Sequence, residues 1–338
     1  MKTYRLGVAC MVHDHVWGEL GHWSKLPNVE IVAAGDVNEP LRQQIQAQYG
    51  VPRLYTSWQE MLEKEELDIV QAASDNATAA DIVEAAAAKG IHVVSEKPMA
   101  ARLSQADRML KAAEAAGIRL MINWPNAWNG AFQTFVSLIE SGAIGSVFYL
   151  KYRAAHNGPM EIGCSEYFWK WLYDEEKNGA GAFMDYCCYS AALNSYILGL
   201  PKRCIGFRAK LIKDYEVPDD NASILMHYEH ALGVAEACWT QKVYTWEPNP
   251  IAYGTEGSVG VLGGKVVLHQ PGVDPREIDP DPMPAGFSSG PEHFIDCLES
   301  GAEIRGTCNA RVSRNAQEIL EAGLLSADRG QAVELPVG

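Results

Sequence analysis

No apolar run in this 338-residue chain approaches the roughly 18 residues that a membrane-spanning helix needs. The alanine-rich stretch 77–88 comes nearest, and Asp81 and Glu84 interrupt it. The opening MKTYRLGVACMVHDH has a short basic start, but its apolar run ends at His13, too soon for a signal segment. Paired cysteines are also missing. The eight cysteines contain no CxxC, and Cys187–Cys188 is the one close pair. Free thiols in a cytoplasmic protein fit this better than a disulfide framework. Positive charge is scarce: 28 Lys and Arg stand against 43 Asp and Glu, for a net charge of −15. Such a surface argues against nucleic acid and anionic membranes as partners. It says nothing about a small anionic ligand, which answers to its local site.

What remains is ordinary globular composition, with 47% hydrophobic and 21% charged residues. At roughly 100–200 residues per domain, the length predicts two domains. Apolar runs at Tyr4–Val12, Val29–Asp36, Ile69–Ala73, His92–Ser95 and Arg119–Asn123 read as strands. Helical spacing falls between them: 15–26, 39–49, 58–63, 77–89 closed by Gly90, and 105–116 capped by Ser104. Buried strands separated by single helices predict an α/β, doubly wound parallel sheet over residues 1–123. The rhythm then changes. Helices near 130–141 and 180–198 precede strands at 204–211, 223–228, 231–239 and 265–268, and helices near 291–300 and 310–327 close the chain. Residues 124–338 therefore read as an α+β domain with an open, mostly antiparallel sheet. The stretch 271–291, rich in Pro, Asp and Gly, is the most irregular.

In a doubly wound sheet, ligands gather at the carboxyl ends of the strands. A dinucleotide loop would place G-x-G-x-x-G after the first strand, yet those positions read Cys10-Met11-Val12-His13-Asp14-His15, without one glycine. Helix N-terminal amides could still receive a pyrophosphate there. Asp36 ends the second strand, followed by Val37. A carboxylate so placed can bind the ribose hydroxyls and repel a 2′-phosphate, favouring NAD over NADP; it could equally cap the next helix. Ser74-Asp75-Asn76 forms a polar turn after the third strand that could cap a helix or face a ribose. VSEKPMA, 94–100, then puts Glu96, Lys97 and Pro98 at the end of a buried strand.

With EKP in this setting, the chain resembles the Gfo/Idh/MocA family of NAD(P)-dependent oxidoreductases. The likeness runs through Asp36, the SDN turn (where the family usually has a T-P-N type turn), VVSEKPMA, SGAIGSVFYLKY at 141–152, NGAGAFMDYCCYSAALNSYILG at 178–199, VPDDNASILMHYE at 217–229, YGTEGSVGVL at 253–262 and FIDCLESG at 294–301. The resemblance implies an N-terminal Rossmann domain, 1–123, and a substrate-binding domain, 124–338, whose open sheet makes a homo-oligomer interface. It implies that Lys97 is catalytic beside the nicotinamide, with Glu96 orienting it or touching the cofactor. The family's second motif, an Asp followed four residues later by a His, carries over as Asp185 and Tyr189. A Tyr at that place is similar to the glucose–fructose oxidoreductase and dihydrodiol dehydrogenase branches. An ammonium beside a phenol lowers its pKa from ~10 toward the working range, so Tyr189 and Lys97 make a sensible acid–base pair. Departures are the missing glycines, Ala79 where a His usually follows the turn, and Cys187 where a Gly usually stands.

His13-Asp14-His15 has the look of a ligand pair, but no HxxxH or Cys/His set completes it. The reading is no metal, with His13 against the cofactor and His15 near the substrate. Trp124, His156, Trp169 and Trp171 are candidates for a carbohydrate site, since sugar faces stack on indoles; packing roles are the alternative for each. The expected activity is hydride transfer between nicotinamide and a secondary alcohol or ketone of a sugar, polyol or glycoside. Two alternatives stand beside it: an NAD-recycling enzyme that modifies glycosides by oxidation, elimination and reduction, and a non-catalytic ligand sensor.

Overall fold

The computed structural model describes residues 2–243 and 246–337. It divides into two units. Unit one comprises 1–123, 164–179 and 286–314, and unit two comprises 124–163, 180–285 and 315–338.

Unit one is built on β1 (Tyr4–Ala9), α1 (His15–Trp23), β2 (Val29–Gly35), α2 (Glu39–Tyr49), β3 (Arg53–Tyr55), α3 (Trp58–Lys64), β4 (Ile69–Ala72), α4 (Ala79–Ala87), β5 (His92–Glu96), α5 (Leu103–Ala116) and β6 (Leu120–Asn123). The strands pair in the order β3-β2-β1-β4-β5-β6, all parallel. The order reverses between β1 and β4, which is the switch point of a doubly wound sheet. The central strands β1 and β4 are buried along nearly their whole length because helices cover both faces, whereas the edge strand β3 is only partly buried. Val8, Met11, Val16, Leu20, Ala34, Leu41, Ile45, Val51 and Ala73 form one core cluster there. Ser57 caps α3 by accepting the Glu60 amide proton at 3.1 Å. Ser104 does not cap α5. That helix begins at Leu103, two residues before the expected start, so Ser104 lies inside it, and the Gln105 side chain accepts the Arg102 amide proton at 3.0 Å instead.

Two later segments, 164–179 and 286–314, complete this unit. The helices α7 (Glu166–Leu172), α8 (Glu175–Asn178) and α10 (Gly290–Ser300) all belong to it.

Unit two carries α6 (Gly130–Glu140), β7 (Val147–Ala155), α9 (Ala182–Leu198), β8 (Arg203–Ala209), β9 (Asn221–His227), β10 (Leu232–Cys238), β11 (Ile251–Gly254), β12 (Gly257–Leu262), β13 (Lys265–His269), β14 (Arg276–Ile278), most of α11 (Ala310–Arg329) and β15 (Val333–Glu334). Among the described residues its sheet has nine strands in the order β14-β13-β12-β11-β7-β10-β9-β8-β15. All pairings are antiparallel except β7 with β10. The stretch 271–291 is thus less irregular than its composition suggests, since it contains β14, which pairs back onto β13.

Phe132, Phe135, Ile139, Leu150, Leu193, Val259 and Leu268 pack between α6, α9 and the sheet. A β-carbon on Gly206 of β8 would overlap the Gly323 carbonyl oxygen, so only glycine lets α11 lie this close. Alternate residues show the other result of a two-residue period: Cys204, Ile224 and Met226 are buried, whereas Ile205, Phe207 and Leu225 are exposed.

Candidate functional site

In unit one the candidate residues collect at the carboxyl ends of the parallel strands. Cys10 follows β1 with φ +64°, the left-handed region that favours glycine. Its amide donates to the Gly35 carbonyl at 2.9 Å. The next amide, of Met11, donates to Asp36 Oδ2 at 2.6 Å. Asp36 is buried, and its Oδ1 accepts from the Asn38 amide at 2.7 Å and the Asn38 side chain at 2.9 Å. The turn a glycine would supply is therefore made by a cysteine and anchored by a carboxylate. Burial, then the charges of Asp36 and Asp75, push the Cys10 thiol well up, so it stays protonated.

The rest of the loop is held by side chains of the later segment. Trp171 Nε1 donates to the Val12 carbonyl at 3.2 Å. Ser165 donates to Asp14 from its amide at 2.7 Å and from its hydroxyl at 2.5 Å. His13 is buried, with ring centroids 4.5 Å from His15, 4.5 Å from Phe168 and 5.6 Å from Trp171. Burial, then the charges of His15 and Lys97, lower its pKa well below the ordinary value against a hydrogen bond to the Lys97 backbone, so the ring is neutral. The stretch 13–15 is not extended, since α1 starts at His15.

The other strand ends are equally defined. Val37 is exposed. Ser74 Oγ donates to the Asp75 carbonyl at 2.8 Å. Asp75 accepts the Thr78 amide at 2.9 Å and its hydroxyl at 3.1 Å, tying down the first turn of α4. Asn76 is buried and donates to Asn178 Oδ1 at 2.8 Å. Glu96 ends β5, buried, with Oε2 3.1 Å from His15 Nδ1 and Oε1 accepting from Asn123 at 2.9 Å. Lys97 follows, 2% exposed.

The donor atoms of His13, His15 and Glu96 lie within 4.8 Å of one another. Each of these side chains already has a hydrogen-bond partner within the chain. The residues after β1 and β2 fit a nicotinamide dinucleotide in two respects: the left-handed turn at Cys10 is kept and Asp36 stands at the end of β2. The first amides of α1 are engaged within the chain, that of His15 by His13 Nδ1 at 3.4 Å and that of Val16 by the His13 carbonyl at 3.0 Å.

Unit two contributes α9. Asp219 accepts from the Gly181 amide at 2.9 Å and the Phe183 amide at 2.7 Å, fixing the start of this helix. Asp185 and Tyr189, four residues apart, share one face. Asp185 is buried and accepts from Trp239 Nε1 at 3.3 Å. Tyr189 is half-buried, with its ring 5.6 Å from Trp124, 6.2 Å from Tyr152 and 5.9 Å from Tyr186. His156 meets Tyr186 edge-on at 4.7 Å. Burial pushes the Tyr152 phenol up to about 12, despite a hydrogen bond with Asn126 that works the other way. Tyr152 is thus a neutral wall and not a base at physiological pH.

Among the sequence candidates, the structure gathers Trp124, His156 and Tyr189 into one aromatic cluster through Tyr152 and Tyr186. Trp169 and Trp171 stand on α7 in unit one, where Trp169 meets Tyr173 at 5.6 Å and Trp171 packs against His13 of the loop after β1. Sequence reading missed Tyr152, Tyr186 and Trp239. Spacing could have flagged Tyr186, three residues before Tyr189 on the same helix. Tyr152 and Trp239 come from distant strands, and no local pattern points to them.

Comparisons with known proteins bear on the same residues. A family model for the GFO/IDH/MocA oxidoreductases, described as an NAD-binding Rossmann fold, matches residues 17–124. The GFO/IDH/MocA C-terminal domain matches 132–260. The chain is 26% identical to the D-apiose dehydrogenase of Paraburkholderia graminis, covering 93% of this chain and 85% of that one. It is 21% identical to the NAD+-dependent scyllo-inositol 2-dehydrogenase of Bacillus subtilis, covering 91% and 93%. Its fold matches an oxidoreductase from Agrobacterium radiobacter solved with NAD+, L-tartaric acid and magnesium, at a TM-score of 0.82 and 21% identity over 99% of this chain and 98% of that one. A levoglucosan dehydrogenase solved with NADH and levoglucosan matches at a TM-score of 0.82 and 17% identity, over 99% and 100%.

Proposed function

The chain belongs to the GFO/IDH/MocA family of NAD-binding sugar and polyol dehydrogenases, and from that premise we propose that it passes hydride between NAD and a secondary alcohol of a cyclic sugar or polyol. The observation that carries this reading is the buried lysine at the end of β5. Lys97 is 2% exposed, and the preceding Glu96 is locked by His15 and Asn123. An ammonium taken out of water and kept at a ligand-binding strand edge suits contact with a reacting hydroxyl or alkoxide, not solvation.

The roles follow from chemistry. Lys97 holds the oxygen of the reacting carbon and favours its alkoxide. Tyr189 takes the hydroxyl proton in oxidation and returns it in reduction. Asp185, fixed by the Trp239 indole, binds a substrate hydroxyl or tunes that proton transfer. Trp124, Tyr152 and Tyr186 offer apolar faces against sugar rings. NAD, when bound, supplies the hydride acceptor. The loop Cys10–His13, Asp36, Val37 and the turn 74–76 hold it, and the Asp36 charge selects NAD over NADP. His15, next to Glu96, borders the substrate. The exposed face of the second sheet, with Phe148, Phe207, Leu225 and Tyr253, serves self-association.

The test is a screen of apiose, inositols, anhydrosugars and common aldoses with NAD and with NADP, following reduced nicotinamide. Net NADH on one substrate class supports the proposal. Conversion without net NADH would point to recycling of bound cofactor. Failure to bind either cofactor in calorimetry would sink the enzymatic reading.

A further inference from the structure

Glu19 lies one helical turn beyond His15 on α1, so both face β5. Its Oε2 is buried and has no hydrogen-bond partner. A β-carbon on Gly290, the first residue of α10, would stand 2.7 Å from Asn123 Oδ1 and 3.3 Å from Glu19 Oε2. Those two oxygens therefore flank one piece of backbone. The Asn123 carboxamide stands beside the Glu19 carboxyl and partly relieves its charge, and its Nδ2 donates to Glu96 Oε1 at 2.9 Å. Two carboxyls thus share one buried amide. Two such groups in a low dielectric do not both ionise, because each charge is desolvated and repels the other.

We propose that Glu19 and Glu96 share a single proton across Asn123, with Glu19 standing as the neutral acid and Glu96 as the carboxylate that faces His15. Glu19 is then a positioning residue: its proton keeps the charge on the carboxyl next to Lys97. The surrounding groups agree. Burial, then the Glu96 charge, raise the Glu19 carboxyl to about 8, with partial relief from Asn123. On α10, Glu292 is engaged by Ser288 and the Gly286 amide, and His293 accepts from the Arg305 amide. On β4, Gln71 is neutral and takes the Trp23 indole proton. His15 and Lys97 lie on the Glu96 side of the pair.

The consequence for turnover rests on the function proposed above, whereas the shared proton does not, so it is tested without activity. The folded chain keeps a proton that the unfolded chain loses in the ordinary carboxylate range, so stability falls as pH rises from that range to about 8. Glu19→Gln cannot lose it. The wild type should therefore lose thermal stability relative to Glu19→Gln between roughly pH 5 and 9, and the gap should then level off. A gap that is the same at every pH overturns the proposal. Carbon-13 NMR of wild type labelled at the glutamate carboxyls gives a second readout that does not depend on the variant folding. One resonance should titrate near pH 8 and should move toward the ordinary range in Glu96→Gln. Absence of any such resonance also overturns it. If both readouts succeed while the pH profile of kcat/KM is the same in Glu19→Gln, the shared proton stands and the part given to Glu96 in turnover fails.

Discussion

Asp36 accepts the amide proton of Met11 at 2.6 Å, so the carboxylate ending β2 also shapes the loop following β1. The same side chain receives the Asn38 amide. Asp36→Ala leaves three donors to be satisfied elsewhere, the Met11 and Asn38 amides and the Asn38 side chain, at about 1–3 kcal/mol for each that stays buried and unpaired. Loss of the carboxylate also removes the repulsion toward a 2′-phosphate. We expect lower thermal stability, at least tenfold weaker NAD binding in calorimetry, and a smaller preference over NADP. Unchanged discrimination between the two cofactors would remove Asp36 from the ribose site.

Cys10 sits at φ +64°, where a β-carbon costs roughly 1–2 kcal/mol. Cys10→Gly should relieve that strain and be neutral to stabilising, the gain being offset by the freedom glycine has in the unfolded chain. Cys10→Val, β-branched, should lose at least about 1 kcal/mol. Urea unfolding of the two variants decides this. If valine is tolerated as well as glycine, the turn is not strained.

These two residues also mark how far the sequence could be read. The alternation of strands and helices over the first 123 residues was legible because buried parallel strands are short apolar runs and their helices repeat every 3.6 residues. Glu39–Tyr49 has its expected ends, and Gly50 closes it in the left-handed conformation. Glu96, Lys97 and Asp36 were legible as strand-end residues. The turn at Cys10 was not, since the expected signal is glycine and here hydrogen bonds replace it. The segment 164–179 was not assigned to unit one because order along the chain says nothing of the long-range bonds from Ser165 to Asp14 and from Asn76 to Asn178. Glu19 resembles any polar residue of an amphipathic helix, and only packing shows that its carboxyl is buried.

Asp220 of the second unit accepts three backbone amides, from Leu211, Ile212 and Lys213, at 2.7–2.8 Å. Burial alone would raise its pKa, but these amides outweigh it and hold the carboxyl below its ordinary value. A depressed folded pKa contributes stability above the unfolded value of ~3.9, and that stability is lost as pH falls through the folded pKa. Asp220→Asn should therefore cost about 1.5–3 kcal/mol at pH 7. The gap to wild type should narrow below roughly pH 4 in denaturant titrations. A gap independent of pH would mean that shape, not charge, is what this loop requires.

The most direct test of the whole reading is single-turnover hydride transfer by Lys97→Ala, compared with wild type on a substrate found in the screen. Folding, by circular dichroism, and NAD binding should be retained while the rate falls by at least 1,000-fold, about 4 kcal/mol of barrier. A folded, cofactor-binding variant that still transfers hydride within tenfold of the wild-type rate would contradict the central claim that Lys97 acts on the reacting oxygen.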